Sequence, residues 1–336
     1  VETRSGPIAS HTNPAFIGNR LANSQLVKIA PASGGEYPDR YTGITLPLQL
    51  GNMPRPSTFA GLYKTFLADD MLKVFADDGS LDKIDIFNLM VIPGISDVTV
   101  LGPAIRFCEK KRAFLIVDPQ KDASADGSGG LPTTVESTLT TIPRFPNAAL
   151  YFPYLKTIDP LTAQERSRPP SGFVAGVYAR TDNNRGVWKA PAGLETTILD
   201  TMGVVEQGRM TDMRQGVLTP LGVNVLRSFP NTGTVVWGAR TLAVSSAFEQ
   251  WRYIPVRRTA LFIEQSLVRN LGWVVFEPND QPLWTAIRIS IENFMLSLFR
   301  QGAFQGATPS QAFEVKCDST TTTLTDINRG IVNIVV

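Results

Sequence analysis

The chain of 336 residues carries one histidine, His11, and two cysteines, Cys108 and Cys317. One imidazole and no paired thiols leave no metal constellation, and no nucleophile stands with a base. His11 reads as a loop histidine rather than a general base or ligand. The cysteines lie far apart and could pair only if the fold brought them within disulfide reach, so free thiols in a cytosolic setting are expected. No apolar run reaches the roughly 18 residues of a membrane span. The first residue is Val1, and no signal-like pattern follows it. A charge excess is missing too: 32 basic and 30 acidic residues nearly cancel, and the basic ones are scattered, which argues against nucleic acid. A soluble, cytoplasmic protein with no cofactor and no direct membrane insertion is expected.

The signatures of nucleotide chemistry are equally scarce. The glycines of Gly127–Gly130 are not followed by Lys-Ser/Thr and are not spaced as GxGxxG, so no phosphate loop can be argued. Asp118 sits just past a predicted strand end, where α/β enzymes place catalytic groups. Its neighbour Pro119 makes a turn-initiating aspartate the better reading. An α/β hydrolase-like enzyme would have only such isolated carboxylates to work with, and the chain is expected not to be an enzyme.

What is present is a sizeable apolar complement, 43% of residues, in a chain long enough for two lobes or one core with an insertion. His11–Gly18 reads as a short strand, Leu21–Ser57 as loop-rich with strand-like pieces, and Thr58–Phe75 as a helix. IDIFNLMVIPG from Ile84, a helix from Ser96 and AFLIVDP at Ala113–Pro119 form a probable βαβ unit, the strands apolar enough to be buried on both faces. Asp122–Gly130 is a loop, Thr133–Thr141 a helix and Ala149–Leu155 a third strand. Arg166–Gly172 is a proline-broken loop, and Ser171 is the expected N-cap of a helix over Gly172–Thr181.

Beyond it, Thr219–Phe229 and Thr234–Val244 read as a hairpin about Pro230–Gly233. Arg252–Leu271 is helical, with Arg257 and Arg258 opposing the helix dipole unless a partner meets them. Gly272–Asn279 reads as a strand and Pro282–Phe299 as the strongest helix. FEVKC, Thr320–Thr325 and Ile331–Val336 are expected to be antiparallel strands. The fold class is mixed α/β (α+β): a central mixed sheet flanked by helices, a C-terminal antiparallel region and a loop-rich N-terminal insertion. The divisions are 1–20, an N-terminal strand; 21–80, a loop-rich β region and helix; 81–200, α/β; and 201–336, the C-terminal core.

One stretch organises the rest: DNNRGVWKAPAG at Asp182–Gly193. Gly186 and Gly193 allow backbone that a side chain forbids, Pro191 fixes a dihedral, and Trp188 is an apolar anchor beside Lys189. Trp188 alone could be a core aromatic under a surface turn. In order, however, GVWKAPAG, LTPLGVNVLRSF, VVWGARTL, WRYIPVRR, VVFEPNDQPLW and FEVKCD resemble the tail sheath family of contractile phage tails, R-type pyocins and related injection systems. The resemblance covers nearly the whole chain and is densest from Leu150 onward.

That resemblance implies a structural subunit that polymerises helically around an inner tube and contracts from a metastable extended state to drive the tube through a target envelope. An alternative within the superfamily is a non-contracting, baseplate-proximal paralogue. The implied partners are further copies, the inner tube, and baseplate and terminal cap proteins, assembled in the cytoplasm into a phage tail or tail-like particle. Gly186, Val187, Trp188, Lys189, Ala190, Pro191, Trp237, Gly238 and Arg240 become motif and core-packing residues. Arg288, Glu292, Asn293 and Arg300 become a tube-facing helix surface. Both ends of the chain read as trimmed, since extended arms flank the matching regions in the family. Ile331, Val332, Asn333, Ile334, Val335 and Val336 become the intersubunit sheet edge.

Overall fold

The structure, a computed structural model, describes residues 70–120, 139, 142–205 and 210–336. They fall within the compact unit Thr58–Val336. The readings for His11–Gly18, 21–57, 58–69, Asp122–Gly130 and most of Thr133–Thr141 lie outside the described residues.

A five-stranded sheet runs in the order β1, β2, β3, β7, β8: β1 Leu89–Val91, β2 Phe114–Val117, β3 Ala148–Phe152, β7 Val223–Phe229 and β8 Gly233–Val236. The first four are mutually parallel, and β8 returns antiparallel as a hairpin. Every residue of β2 and β3 is buried, because helices cover both faces. Leu115, Val117, Leu150 and Val225 face α1, Val98–Lys110. Phe114, Ile116, Tyr151 and Leu226 face α2, Ser171–Arg185, and the start of α4, Ile254–Asn270. The βαβ unit is as expected, with β1 starting later than Ile84 and Asp97 capping α1 through the Thr99 N–H at 2.8 Å. Between β3 and β7 come β4 Leu155–Ile158, β5 Glu165–Arg168, β6 Gly203–Val204 and the short helix α3, Asp212–Leu218. The strands β5, β4 and β6 make a small antiparallel sheet, so part of the expected loop at Arg166–Gly172 is an edge strand.

The helix α5, Gln281–Arg300, organises a third core. Its Leu283, Trp284, Ile287, Ile291, Met295 and Leu298 pack with Val315 and Cys317 and with half-buried Val332 and Ile334. The helix α4 serves two cores: Ile254 and Leu261 enter the sheet-side cluster, while Ile263, Leu267 and Leu271 meet the cluster around α5.

Four local expectations change. Ser171 does not cap α2; the N-cap is Pro170, and the Ser171 hydroxyl donates instead to Asp118 Oδ2 at 2.7 Å. Gly272–Asn279 is a single 3-10 turn followed by irregular chain, because Phe276 adopts φ +76°, outside any strand region. Thr219–Leu221 is a 3-10 turn rather than the start of β7. In the C-terminal region antiparallel pairing consists of one bridge, Lys316 with Val335. Thr320–Thr325 is no strand there, since Thr323 and Asp326 form a reciprocal capping box on the short helix Leu324–Asn328.

Candidate assembly surfaces

The motif loop is built from the end of α2 outward. Gly186 takes φ +93°, and a Cβ there would lie 2.4 Å from the Trp188 ring, so the turn and the indole's seat require glycine. Trp188 reaches away from α2 and packs against the cluster around α5. Val187, Lys189 and Ala190 are half-buried and Pro191 is buried. The exit is stitched to β8: the Gly193 N–H donates to the Val236 carbonyl at 2.9 Å, and the Thr196 hydroxyl donates to the Gly193 carbonyl at 2.6 Å.

The second motif, Trp237 to Arg240, lies over the fully buried Asn224. The Asn224 amide donates to the carbonyls of Leu150, at 3.2 Å, and Arg240, at 2.7 Å, and accepts from the Arg240 N–H at 2.7 Å. Gly238 passes so close that a Cβ would stand 2.9 Å from the Asn224 Cα. Trp237 packs tilted against Phe229 with ring centroids 4.9 Å apart, and Arg240 lies over Tyr253 at 5.8 Å.

The partners expected for the two arginines of α4 are within the subunit. Arg258 makes a bidentate pair with Asp182 and lies over the Tyr178 ring at 4.6 Å. The Tyr178 and Tyr151 hydroxyls meet at 2.7 Å, and burial raises the pKa of both phenols. Arg257 donates to Asn147 at 2.9 Å and lies over Trp251 at 4.7 Å. These polar groups are spent on joining α2, α4 and the sheet.

The oxygens of Asp118 are likewise taken. It accepts from the Ser171 N–H at 2.8 Å, the Ser171 hydroxyl at 2.7 Å and the Gly94 N–H at 2.9 Å. Burial raises its pKa against these donors. The carboxylate clips the start of α2 to the ends of β1 and β2. Among the described residues no cluster of three or more His, Cys, Asp or Glu could hold a metal, and no helix is long and apolar enough to cross a membrane. Cys108 and Cys317 are both buried and free.

Two features point outward. On α5, Arg288, Asn293 and Arg300 are exposed and Glu292 is half-buried, Asn293 and Arg300 opposite the apolar stripe and Arg288 along its margin. Ile289 is half-exposed among them. The second is Ile331–Val336. The Ile331 N–H donates to the Asp326 carbonyl at 2.9 Å, and Val335 exchanges both backbone bonds with Lys316 at 2.9 Å. The Asn333 N–H donates to the Thr322 hydroxyl at 3.0 Å. Among the described residues the backbones of Val332, Ile334 and Val336 make no such bonds. Alternate residues of the segment are thus tied inward, and among the described residues nothing pairs with its other edge. Sequence reasoning passed over the asparagines that tie these parts together, Asn224 and Asn279. For the second, the available signal is the Asn-Asp-Gln-Pro run before α5, a helix-start signature.

The described residues thus form a mixed α/β core with a polar face on α5 and a C-terminal segment tied down by one bridge. Comparison with known proteins specifies which kind of protein this is. The family model for the phage tail sheath protein central domain matches residues 78–242, and that for the phage tail sheath C-terminal domain matches 246–336. A chain in the 6-fold symmetrised cryo-EM structure of the anti-feeding prophage (AFP) baseplate is 32% identical with a TM-score of 0.64, covering 80% of this chain and 69% of that one. A chain in the contracted sheath complex of PVC, an extracellular contractile injection system, is 32% identical with a TM-score of 0.63, covering 76% and 67%. The tail sheath protein of Burkholderia phage BcepMu is 30% identical over 161 residues, 47% of this chain and 33% of the relative. The chain therefore spans about a third of that curated relative's length. It belongs to the contractile tail sheath family and is a structural sheath subunit.

Proposed function

We propose that this subunit polymerises helically around an inner tube and contracts from a metastable extended arrangement, driving the tube forward without nucleotide and without catalysing a reaction. The observation that carries this reading is the open edge at Ile331–Val336. Head-to-tail contacts that do not close generate filaments, and an extended segment from a neighbour can add to an unpaired strand edge. The exposed polar face of α5, with Arg288, Asn293, Arg300 and the half-buried Glu292, is the surface turned to the tube. A net gain of roughly 1 kcal/mol per new contact, repeated over every subunit, suffices for an irreversible stroke between two packings of rigid bodies. The further partners are baseplate and cap proteins, and assembly takes place in the cytoplasm before the particle is complete.

The likeness to a chain of the AFP baseplate favours a second reading, a baseplate-proximal sheath paralogue that does not contract. Electron microscopy of the full-length chain, expressed alone and with its tube, separates the two. Long hollow cylinders, wider and shorter without the tube, are the expected result. Closed rings under both conditions would overturn the contractile reading in favour of the paralogue.

A further inference from the structure

The C-terminal segment packs on α5 through Val332 and Ile334, and one hydrogen-bonding side chain, Asn279, links the two. The indole N–H of Trp284 donates to Asn279 Oδ1 at 2.8 Å, and Asn279 Nδ2 donates to the Ile331 carbonyl at 3.0 Å. An indole can only donate and a carbonyl only accept, so the link needs an acceptor on one side and a donor on the other, which a carboxamide supplies. Asn279 is itself held at the helix end. Pro278 precedes it, and Asp280 after it is the N-cap of α5, accepting from the Leu283 N–H at 3.2 Å. On the far side, Ile331 begins the segment whose inward bonds run through Asn333 and Val335.

We infer that Asn279 is the positioning residue that holds the Ile331–Val336 edge in register with α5. Resting on the proposed reading of these two surfaces, the link makes a pull on the edge a pull on the helix. A strand edge offers alternate backbone groups, and a slip of one residue exchanges the inward set for the outward set. The single bridge between Lys316 and Val335 pins only one end of the segment. The other end is held locally by the Ile331 N–H bond to Asp326 and tied to α5 by the Asn279 bond, so the register of the segment against α5 depends on Asn279.

Amide hydrogen exchange on the full-length chain before assembly tests the link. Asn279→Asp keeps an acceptor for the indole but turns a carboxylate toward the Ile331 carbonyl. Trp284→Phe removes the indole donor and keeps a ring in the core. Each is expected to raise exchange at Asn333 and Val335 about five- to tenfold, and the double variant no further, because both cut one link. Amides of β2 and β3 should not change. Ile287→Val, a packing lesion in the same cluster without a hydrogen bond, is the control and should leave Asn333 and Val335 unmoved. Unchanged exchange in Trp284→Phe, or an equal rise in Ile287→Val, would overturn the inference. Failure of the unaltered chain to form sheaths is a different result: it sinks the reading of the edge as an assembly surface, while the register link stands or falls on exchange in the unassembled subunit.

Discussion

Asp182, near the end of α2, and Arg258, in the second turn of α4, face each other as a bidentate ion pair with N···O distances of 2.8 and 2.5 Å. Arg258 is 6% exposed and Asp182 24%, and the guanidinium also covers the Tyr178 ring. The pair lies four residues before Gly186, so it fixes the helix end from which the motif loop departs. Trp188 then spans from that helix to the core around α5.

Removing one partner of this pair exposes its cost. Asp182→Asn leaves a buried guanidinium without its counter-charge, and a loss of about 3 kcal/mol is expected. Arg258→Met, which removes the charge and keeps apolar bulk, should cost less. Equilibrium denaturation of the two variants gives the order directly, and the reverse order would show that Arg258 stabilises mainly through Tyr178.

Gly186 and Gly193 both take positive φ, +93° and +110°, but only the first has a neighbour in the way, the Trp188 ring. Gly186→Ala is therefore expected to cost at least about 2 kcal/mol, backbone strain plus displacement of the indole. Gly193→Ala meets nothing within 4 Å and should cost about 1 kcal/mol, the strain alone. Denaturation midpoints measure both, and Trp188 emission should shift toward the solvent-exposed value only in Gly186→Ala. Equal losses would mean that the indole seat is soft.

Acid stability should divide by sign. Hydrogen bonds from Lys111, the Asp78 backbone and Lys110 lower the Asp82 pKa from the usual 3.8 to about 2. Its folded form holds its proton less tightly than the unfolded chain does. Its stabilisation is thus present above the unfolded value and is lost as pH falls through the folded one. Asp118 has the opposite sign: burial raises its pKa, so its contribution grows as pH falls. Between about pH 4 and pH 2, Asp82→Asn should lose stability less steeply than the unaltered chain. Parallel slopes in urea denaturation across that window would show that the lysine contacts do not persist in solution.

The fold was legible where burial writes itself into composition. FLIV in β2 and AALYF in β3 are continuously apolar because both faces are covered, and the turn around Gly233 announced the hairpin. Pattern failed where apolar letters point outward. Trp273, Val275 and Phe276 look like a strand, yet all three face solvent around the left-handed Phe276. The threonines before Leu324 have β-branched side chains, yet the T-x-x-D capping box at Thr323 and Asp326 decides their conformation. The bonds of Asn224 to Leu150 and of Asn279 to Ile331 span 74 and 52 residues, and no local rule reports contacts so distant in sequence. The polar face of α5 was visible in its helical period, since exposure follows the 3.6-residue repeat.

The proposed tube contact of α5 is tested by charge. Arg288 and Arg300 are exposed on α5, and the Arg288 charge lies near enough to Asp318 to help lower its pKa. Reversing both to glutamate should leave the subunit's thermal midpoint within a few degrees, because exposed substitutions away from caps and cores change stability by about 0.5 kcal/mol or less. Tube recovered with affinity-tagged sheath should fall at least about tenfold, since like charge set against a complementary surface costs several kcal/mol. Undiminished tube recovery at low salt would remove α5 from the contact.

The open edge can be closed without touching the core. Val336 is half-exposed, and its N–H belongs to the outward set, while the inward bonds run through Ile331, Asn333 and Val335. Val336→Pro removes one outward donor and places a ring where an added strand must run. The subunit should stay folded with unchanged exchange at Asn333 and Val335, and full-length chains should no longer form cylinders visible by electron microscopy. The comparison variant Val336→Thr keeps the N–H and should assemble. Cylinders from the proline variant would mean that neighbours do not pair along this edge and that sheath contacts must be sought elsewhere on the subunit.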